Sequence, residues 1–350
     1  IGRAHLSAYQ QLPHLFEVTA VCDLQAQRLE DSGVAWTTTQ IQDLLDSDKV
    51  DLLDICTPPN THLELIRRAI AAGKHVVCEK PLVGSLAEAD EVESLLANAS
   101  ARLFPIFQYR FGEGLQKLMH LRSKGFCRHA LMTTIETHWR RDADYYATQW
   151  RGKWAAEMGG VCLTQAIHAH DILTYVLGPI KTVYSRLATR VNDIEGEDCA
   201  AISLEMCDGS LAVLSATLGA AVESSRLKFI FQDMTVESGS AHPYRPASGT
   251  WVFKGKTQEI DAKVQAALGE VASEHESFEG QFVHIHAALC SDAATPVSMA
   301  DARASLDLIT AIYHSGETGT AVALPIQKGH PKYTTWVPAT GGFPKAVAHV

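Results

Sequence analysis

Two hydrophobic patterns alternate along the first hundred residues. Short, β-rich apolar runs stand at 17–22, 50–56, 75–78 and 103–107. Between them, apolar residues recur at helical spacing. Over 62–72 these are Leu63, Leu65, Ile66, Ala69 and Ile70, with Gly73 as the stop. Over 85–97 they are Leu86, Ala89, Val92, Leu95 and Leu96, with Ser85 placed to cap the start. Parallel strands need a crossover, so strand–helix–strand repetition at this spacing predicts an α/β fold with a parallel, doubly wound sheet. Ligands of such sheets bind beyond the carboxyl ends of the strands.

After about residue 108 the pattern changes. A helix is predicted over 113–124, an extended segment over 131–137, a polar, aromatic loop over 138–158, and a helix over 163–177 stopped by Gly178-Pro179. Strand-like runs follow at 182–188, 200–205, 211–218, 227–231 and 251–253, then helices at 278–289 and 299–314. Cys207-Asp208-Gly209-Ser210 reads as a hairpin turn. The second half is therefore expected to be α/β with a mainly antiparallel open sheet. The division expected is a dinucleotide-binding domain over 1–108 and a second domain over 109–350.

Composition narrows the function. With 350 residues, 46% hydrophobic, the chain can bury two cores and is not disordered. No apolar run approaches the ~18 residues of a membrane span. A net charge of -10 argues against a nucleic-acid or anionic-membrane surface. The eight cysteines form no zinc spacing, and three end apolar runs as buried free thiols do. A reducing, cytoplasmic setting is expected, and no metal site.

Three signals mark a nucleotide site. Asp23 directly follows the run ending in Cys22, where an acidic residue accepts hydrogen bonds from ribose hydroxyls and repels a 2′-phosphate. This favours NAD over NADP. Gly2 lies 21 residues before Asp23, the separation of a glycine-rich loop from its acidic partner. Ile1-Gly2 thus reads as the end of that loop, with the first strand and two glycines expected upstream of residue 1. Thr57-Pro58-Pro59-Asn60-Thr61-His62 breaks the chain sharply after the second run, and Glu79-Lys80-Pro81 after the third. Thr57, Pro58, Asn60, His62, Glu79 and Lys80 are accordingly candidates to line the cofactor. Plain strand-to-helix turns would also explain both segments.

Together these segments resemble the glucose–fructose oxidoreductase/inositol dehydrogenase/MocA (Gfo/Idh/MocA) family. The likeness takes in Gly2 with His5, Asp23, the turn 57–62, Glu79-Lys80-Pro81, 108–111, Gly159-Gly160, Gln165-Ala166-Ile167-His168 with Asp171, and Asp301-Ala302-Arg303 through Leu324-Pro325. It implies a Rossmann domain followed by an α/β domain whose open sheet supports homo-oligomers. It also implies NAD(P)-dependent hydride transfer at a secondary alcohol or carbonyl of a sugar, sugar acid or cyclitol. By the same resemblance Lys80 is the active-site lysine and His168 the acid/base. Many members carry Asp or Asn four residues before that histidine. Thr164 stands there instead and cannot supply a carboxylate.

The chemistry is consistent with these residue types. An imidazole exchanges protons near neutrality, and a lysine stabilises negative charge developing on the same oxygen. Thr164, His168 and Asp171, spaced by four and three, are expected on one helix face. His168 and His170 diverge, as do His284 and His286, so neither pair reads as a metal site. The segment 139–154 holds Arg140, Arg141, Tyr145, Tyr146, Trp150, Arg151, Lys153 and Trp154. Aromatic faces stack on sugar rings and Arg forks bind hydroxyls or carboxylates. Arg110, Tyr146, Trp150, Arg151, Thr164 and His168 are the substrate-binding candidates. The rival functions are a non-catalytic cofactor-binding sensor, and a lyase or glycosidase using NAD without net redox change.

Overall fold

The computed structural model describes residues 1–239, 242–291, 293–339 and 341–345. The N-terminal part runs α1 (Gly2–Gln10), β1 (Ala20–Cys22), β2 (Trp36–Thr38), α2 (Ile41–Leu45), β3 (Leu52–Ile55), α3 (His62–Ala71), β4 (His75–Cys78), α4 (Leu86–Ala97) and β5 (Leu103–Pro105). Every pairing among its strands is parallel. The strands form two pieces rather than one sheet: β1 with β2, and β3–β4–β5. α3 buries Ile66, Ala69 and Ile70, the stripe its periodicity predicts. Ser85 caps α4 by accepting from the Glu88 N–H.

The second part continues with α5 (Glu113–Ser123), β6 (Ala130–Arg140), α6 (Ala143–Tyr146), α7 (Val161–Thr164), α8 (Ile167–Leu177), β7 (Ile180–Ala188), β8 (Cys199–Met206), β9 (Leu211–Thr217), β10 (Gly219–Phe231), β11 (Met234–Glu237) and β12 (Val252–Gly255). It ends in α9 (Gln258–Leu268), α10 (Ser277–Cys290), α11 (Met299–Thr318) and β13 (Val322–Ala323). Eight strands form one sheet in the order β12-β11-β10-β6-β9-β8-β7-β13. Only β6–β9 is parallel among its pairings. Along β6, buried Thr133, Ile135, Thr137 and Trp139 alternate with less buried Thr134, Glu136 and His138. The period of two leaves one face covered by helices and the other open.

α10 crosses the division expected at residue 108. Its Phe282 stacks on Tyr9 of α1 with centroids 4.1 Å apart, in a small core that includes Phe104 and Ile106. Late chain therefore completes the N-terminal layer. α11 opens on a capping box between Ser298 and Asp301 and closes at Gly319, whose φ of 69° suits a residue without Cβ.

Candidate functional site

Asp23, the turn after β3 and Lys80 lie at the carboxyl ends of parallel strands, where the sheet exposes backbone donors and acceptors. Gly2 opens α1, and a Cβ there would meet only Cys56 Cβ at 3.6 Å. Asp23 Oδ1 accepts from Gln25 N at 2.8 Å, so it caps the turn and still keeps Oδ2, 3.6 Å from Arg28. Arg28 is a cation near that carboxylate that the sequence reading passed over. Thr57 and Asn60 are exposed and Pro58 is half-buried.

Two cofactor candidates turn inward instead. His62 is fully buried, its ring nitrogens facing the carbonyls of Pro81 and Thr57, each at 2.9 Å. It ties the turn after β3 to the turn after β4 and presents no free ring atom. Glu79 is buried against His5, whose Nε2 lies 3.0 Å from Oε1, while His5 Nδ1 lies 2.8 Å from Asp54 Oδ2. Burial alone would raise Glu79, but the His5 bond and charge, with Lys80, hold it down to about 2. Burial would likewise lower His5, yet Asp54 and Glu79 raise it well above the ordinary value. His5 is thus an imidazolium bridging two carboxylates.

His5, Asp54 and Cys56 form a group with potential metal-ligand atoms within 4.8 Å of one another. Both ring nitrogens are engaged by carboxylates, and burial pushes the Cys56 thiol up to about 12. As an imidazolium, His5 has no ring lone pair to offer an ion.

Lys80 and His168 meet between the two halves. Lys80 Nζ donates to Thr164 O at 2.6 Å, one short turn ahead of His168. Burial lowers the lysine below its usual range. His168 is 6% exposed, and its Nδ1 is buried without a hydrogen-bond partner. Burial and then the Lys80 charge lower it to about 3, so the ring is neutral at neutral pH. Tyr109 packs on the imidazole, ring centroids 4.8 Å apart.

The helix expected over 163–177 breaks. α7 ends at Thr164 and α8 starts at Ile167, so Thr164, His168 and Asp171 do not share one face. The Thr164 hydroxyl donates to Gly160 O at 2.8 Å and also contacts Gln165 Oε1. Its carbonyl, rather than its side chain, receives Lys80. Close backbone packing explains Gly159-Gly160. A Cβ on Gly160 would lie 1.8 Å from Glu197 O, and one on Gly159 2.2 Å from the Tyr313 hydroxyl. Glu197 in turn accepts from Cys162 N at 2.9 Å and Gly160 N at 3.2 Å, anchoring α7.

Arg110, expected to line the cleft, is withdrawn from it. Nε and Nη2 form a two-pronged pair with Asp171 at 2.7 and 2.6 Å, and Nη2 lies 3.1 Å from Asp301. The fork is spent on structure. Tyr146 is half-buried against the core beside Tyr145. Arg151 stacks on Tyr145 at 3.9 Å and Trp150 at 4.6 Å, pairs with Glu157 at 3.2 Å and contacts the Tyr145 hydroxyl. That hydroxyl also accepts from Gln165 Nε2 at 3.2 Å. Glu157 was missed because nothing local in the sequence marks it, while Tyr145 was named only with the aromatic segment and Gln165 only through the resemblance. His5 was named only through the resemblance.

Residues 1–107 match the profile described as oxidoreductase family, NAD-binding Rossmann fold, and residues 125–237 match the GFO/IDH/MocA C-terminal domain. Among curated relatives, an uncharacterized oxidoreductase, YrbE, of Bacillus subtilis is 28% identical over 61% of this chain and 63% of its own. Myo-inositol 2-dehydrogenase of Thermotoga maritima is 29% identical over 56% and 59%. The chain thus spans under two thirds of the length of these relatives. Among solved structures, the WlbA dehydrogenase from Bordetella pertussis, in complex with NADH and UDP-GlcNAcA, superposes with a TM-score of 0.81 at 25% identity, over 93% of this chain and 96% of that one. The chain belongs to the Gfo/Idh/MocA oxidoreductase family, whose cofactor fold is NAD-binding.

Proposed function

We propose that this family member is an NAD-dependent dehydrogenase or reductase acting on a secondary alcohol or carbonyl of a sugar, sugar acid or cyclitol. The observation that carries the reading is the closeness of Lys80 and His168: Lys80 donates to the Thr164 carbonyl at 2.6 Å, four residues before His168, and its charge acts on the imidazole. Lys80 lies at the end of β4 beside the cofactor turns, and His168 begins the substrate-side helix. Of the three similar proteins named above, one is a myo-inositol 2-dehydrogenase and one was solved with NADH and UDP-GlcNAcA, which fits the same class.

Gly2, Asp23, Thr57, Pro58 and Asn60 offer the exposed or half-buried positions that would hold the dinucleotide. Its nicotinamide, when bound, supplies the hydride chemistry. His168, neutral at neutral pH, takes the proton of the substrate hydroxyl in oxidation and returns it in reduction. Lys80 stabilises the negative charge developing on that oxygen. Trp150 and Arg151 would contact the sugar from the loop before α7. The division at residue 108 into cofactor and substrate units, a homo-oligomer formed through the open face of the eight-stranded sheet, and a cytoplasmic setting belong to this reading. Eight free thiols support the last.

The test is a panel of polyols, sugars and sugar acids assayed with NAD. Lys80→Met and His168→Ala should each lower kcat by about 10²- to 10⁴-fold, and His168→Ala should still bind NADH by fluorescence. Full activity in both variants on a true substrate would remove these roles. NADH binding without turnover would instead favour a sensor, and product without net NADH a lyase or glycosidase.

A further inference from the structure

Arg141, just beyond β6, is held unusually. Its guanidinium carbon lies 5.1–5.2 Å from the ring centres of Trp139, Tyr145 and Tyr244. Rings against its faces leave only the edges for hydrogen bonding. All three of its hydrogen bonds use Nη1: to Arg140 O at 2.6 Å, Glu223 Oε1 at 3.1 Å and Tyr244 Oη at 3.2 Å. Nε is buried with no partner. The Nε–Nη2 edge, the one suited to a two-oxygen acceptor, is therefore unpaired among the described residues, with Nη2 as its outer nitrogen. Glu223 pairs with Arg141 on the Nη1 side only, and it also accepts from Arg140 N at 2.8 Å and from the Tyr244 hydroxyl at 2.5 Å.

Two routes connect this arginine to the reacting centre. Tyr109 packs on His168, and its hydroxyl feels both the Arg245 and Arg141 charges. Arg245 is exposed and has no carboxylate partner among the described residues. On the other side, the Tyr145 ring carries Arg141 at 5.1 Å and Arg151 at 3.9 Å, and its hydroxyl meets Gln165, which adjoins Thr164 and Lys80. The unpaired Arg141 edge and its stacked aromatics thus lie one ring, Tyr145, from Gln165, and the charges of Arg141 and Arg245 reach the Tyr109 hydroxyl.

We infer that Arg141, assisted by Arg245, binds an oxyanion on the substrate, a carboxylate or phosphate carried away from the carbon that reacts. This rests on the dehydrogenase reading for its context and narrows the substrate to a charged sugar. Neutral sugars would leave the buried Nε unpaired, which disfavours them.

The test starts from anions alone. Tryptophan fluorescence of the full chain is titrated with malonate and with inorganic phosphate, since Trp139 adjoins Arg141. The wild type should respond saturably. Arg141→Gln should bind about 10- to 100-fold more weakly, Arg141→Lys should fall between, and the remote Lys263→Gln should match the wild type. Tighter malonate identifies a carboxylate, and tighter phosphate a phosphate. Absent saturation, or identical curves for the wild type and Arg141→Gln, overturns the proposal. In the kinetic arm, hexuronates, hexose phosphates and parent hexoses are compared with NAD. Arg141→Gln should raise KM for charged substrates about 10- to 100-fold with little change in kcat. Equal use of neutral sugars by the wild type overturns the anion pocket and leaves the dehydrogenase reading standing. An intact anion titration with no turnover of any sugar does the reverse.

Discussion

His5 in the N-terminal half and His168 in the second half are both buried, and their surroundings act on them in opposite directions. His5 sits between Asp54 and Glu79, with ring nitrogens 2.8 and 3.0 Å from their oxygens. Desolvation favours its neutral form, but the two carboxylates outweigh it and the ring keeps its proton. His168 has the Lys80 ammonium nearby and no partner for Nδ1, so desolvation and repulsion add and lower it to about 3. His170, two residues on, is lowered to about 3 by burial alone. Burial alone is thus enough to hold a histidine neutral, as at His170, and only the paired carboxylates reverse it at His5. Two neighbouring carboxylates make His5 a structural cation, while burial reinforced by the Lys80 charge keeps His168 neutral.

The largest effect that could break this contrast is the cost of removing a partner. Glu79→Ala should leave His5 with half its counter-charge and cost about 3–5 kcal/mol, as breaking buried pairs does. His168→Asn deletes a ring with no partner to orphan and should cost about 1–2 kcal/mol at most. Urea unfolding of both variants at pH 7 measures the difference. Equal losses would mean that His5 is neutral in the folded chain and that the ion pairs are not what holds α1 to β3 and β4.

Legibility followed locality. The strand–helix alternation and the turns after β3 and β4 are written in short windows where period and turn chemistry act, whereas the roles of Lys80 and His168 were assigned through the resemblance. α9 was equally readable, with Ile260, Val264, Ala267 and Leu268 at helical spacing behind the Thr257 cap, but was passed over. The His5 triad was not, because Asp54 and Glu79 lie 49 and 74 residues away in sequence. Arg110 looks like a ligand-binding arginine until Asp171 is brought against it across 61 residues. The break at Gln165 also escaped periodicity. It arises where Glu197, from the strand side, anchors the start of α7 and sets that turn apart from α8.

A smaller effect sharpens the same contrast through pH. For His168 and His170 the folded value, about 3, lies below the unfolded reference near 6.5. The unfolded chain then binds more protons between those limits, so stability is full above pH 6.5 and falls as pH drops towards 3. Each group contributes a slope of about 1.4 kcal/mol per pH unit. His5 has the reverse sign: its contribution is full below pH 6.5 and is lost only as pH rises through its raised folded value. Unfolding free energies measured from pH 7 to 5 should therefore show a shallower loss in His170→Leu than in the wild type, by about one proton's slope. An unchanged slope would place a compensating partner on His170.

The smallest expected effect is on turnover. An ordinary histidine base would make the oxidation rate fall below about pH 6.5 as it protonates. His168 is held proton-free down to about 3, so kcat/KM for oxidation should stay within about twofold between pH 5 and 8, provided the substrate itself does not titrate there. The limit comes from the other side. Lys80 is lowered from its ordinary value of 10.5, and the charge that stabilises the reacting oxygen is lost as pH rises through that lowered value. The alkaline limb should therefore belong to Lys80 and move to higher pH in Lys80→Arg, whose guanidinium keeps its proton. An acid limb near 6.5 that vanished in His168→Gln would show instead that His168 keeps a near-normal proton affinity. Its environment would then lie closer to that of His5 than the contrast allows.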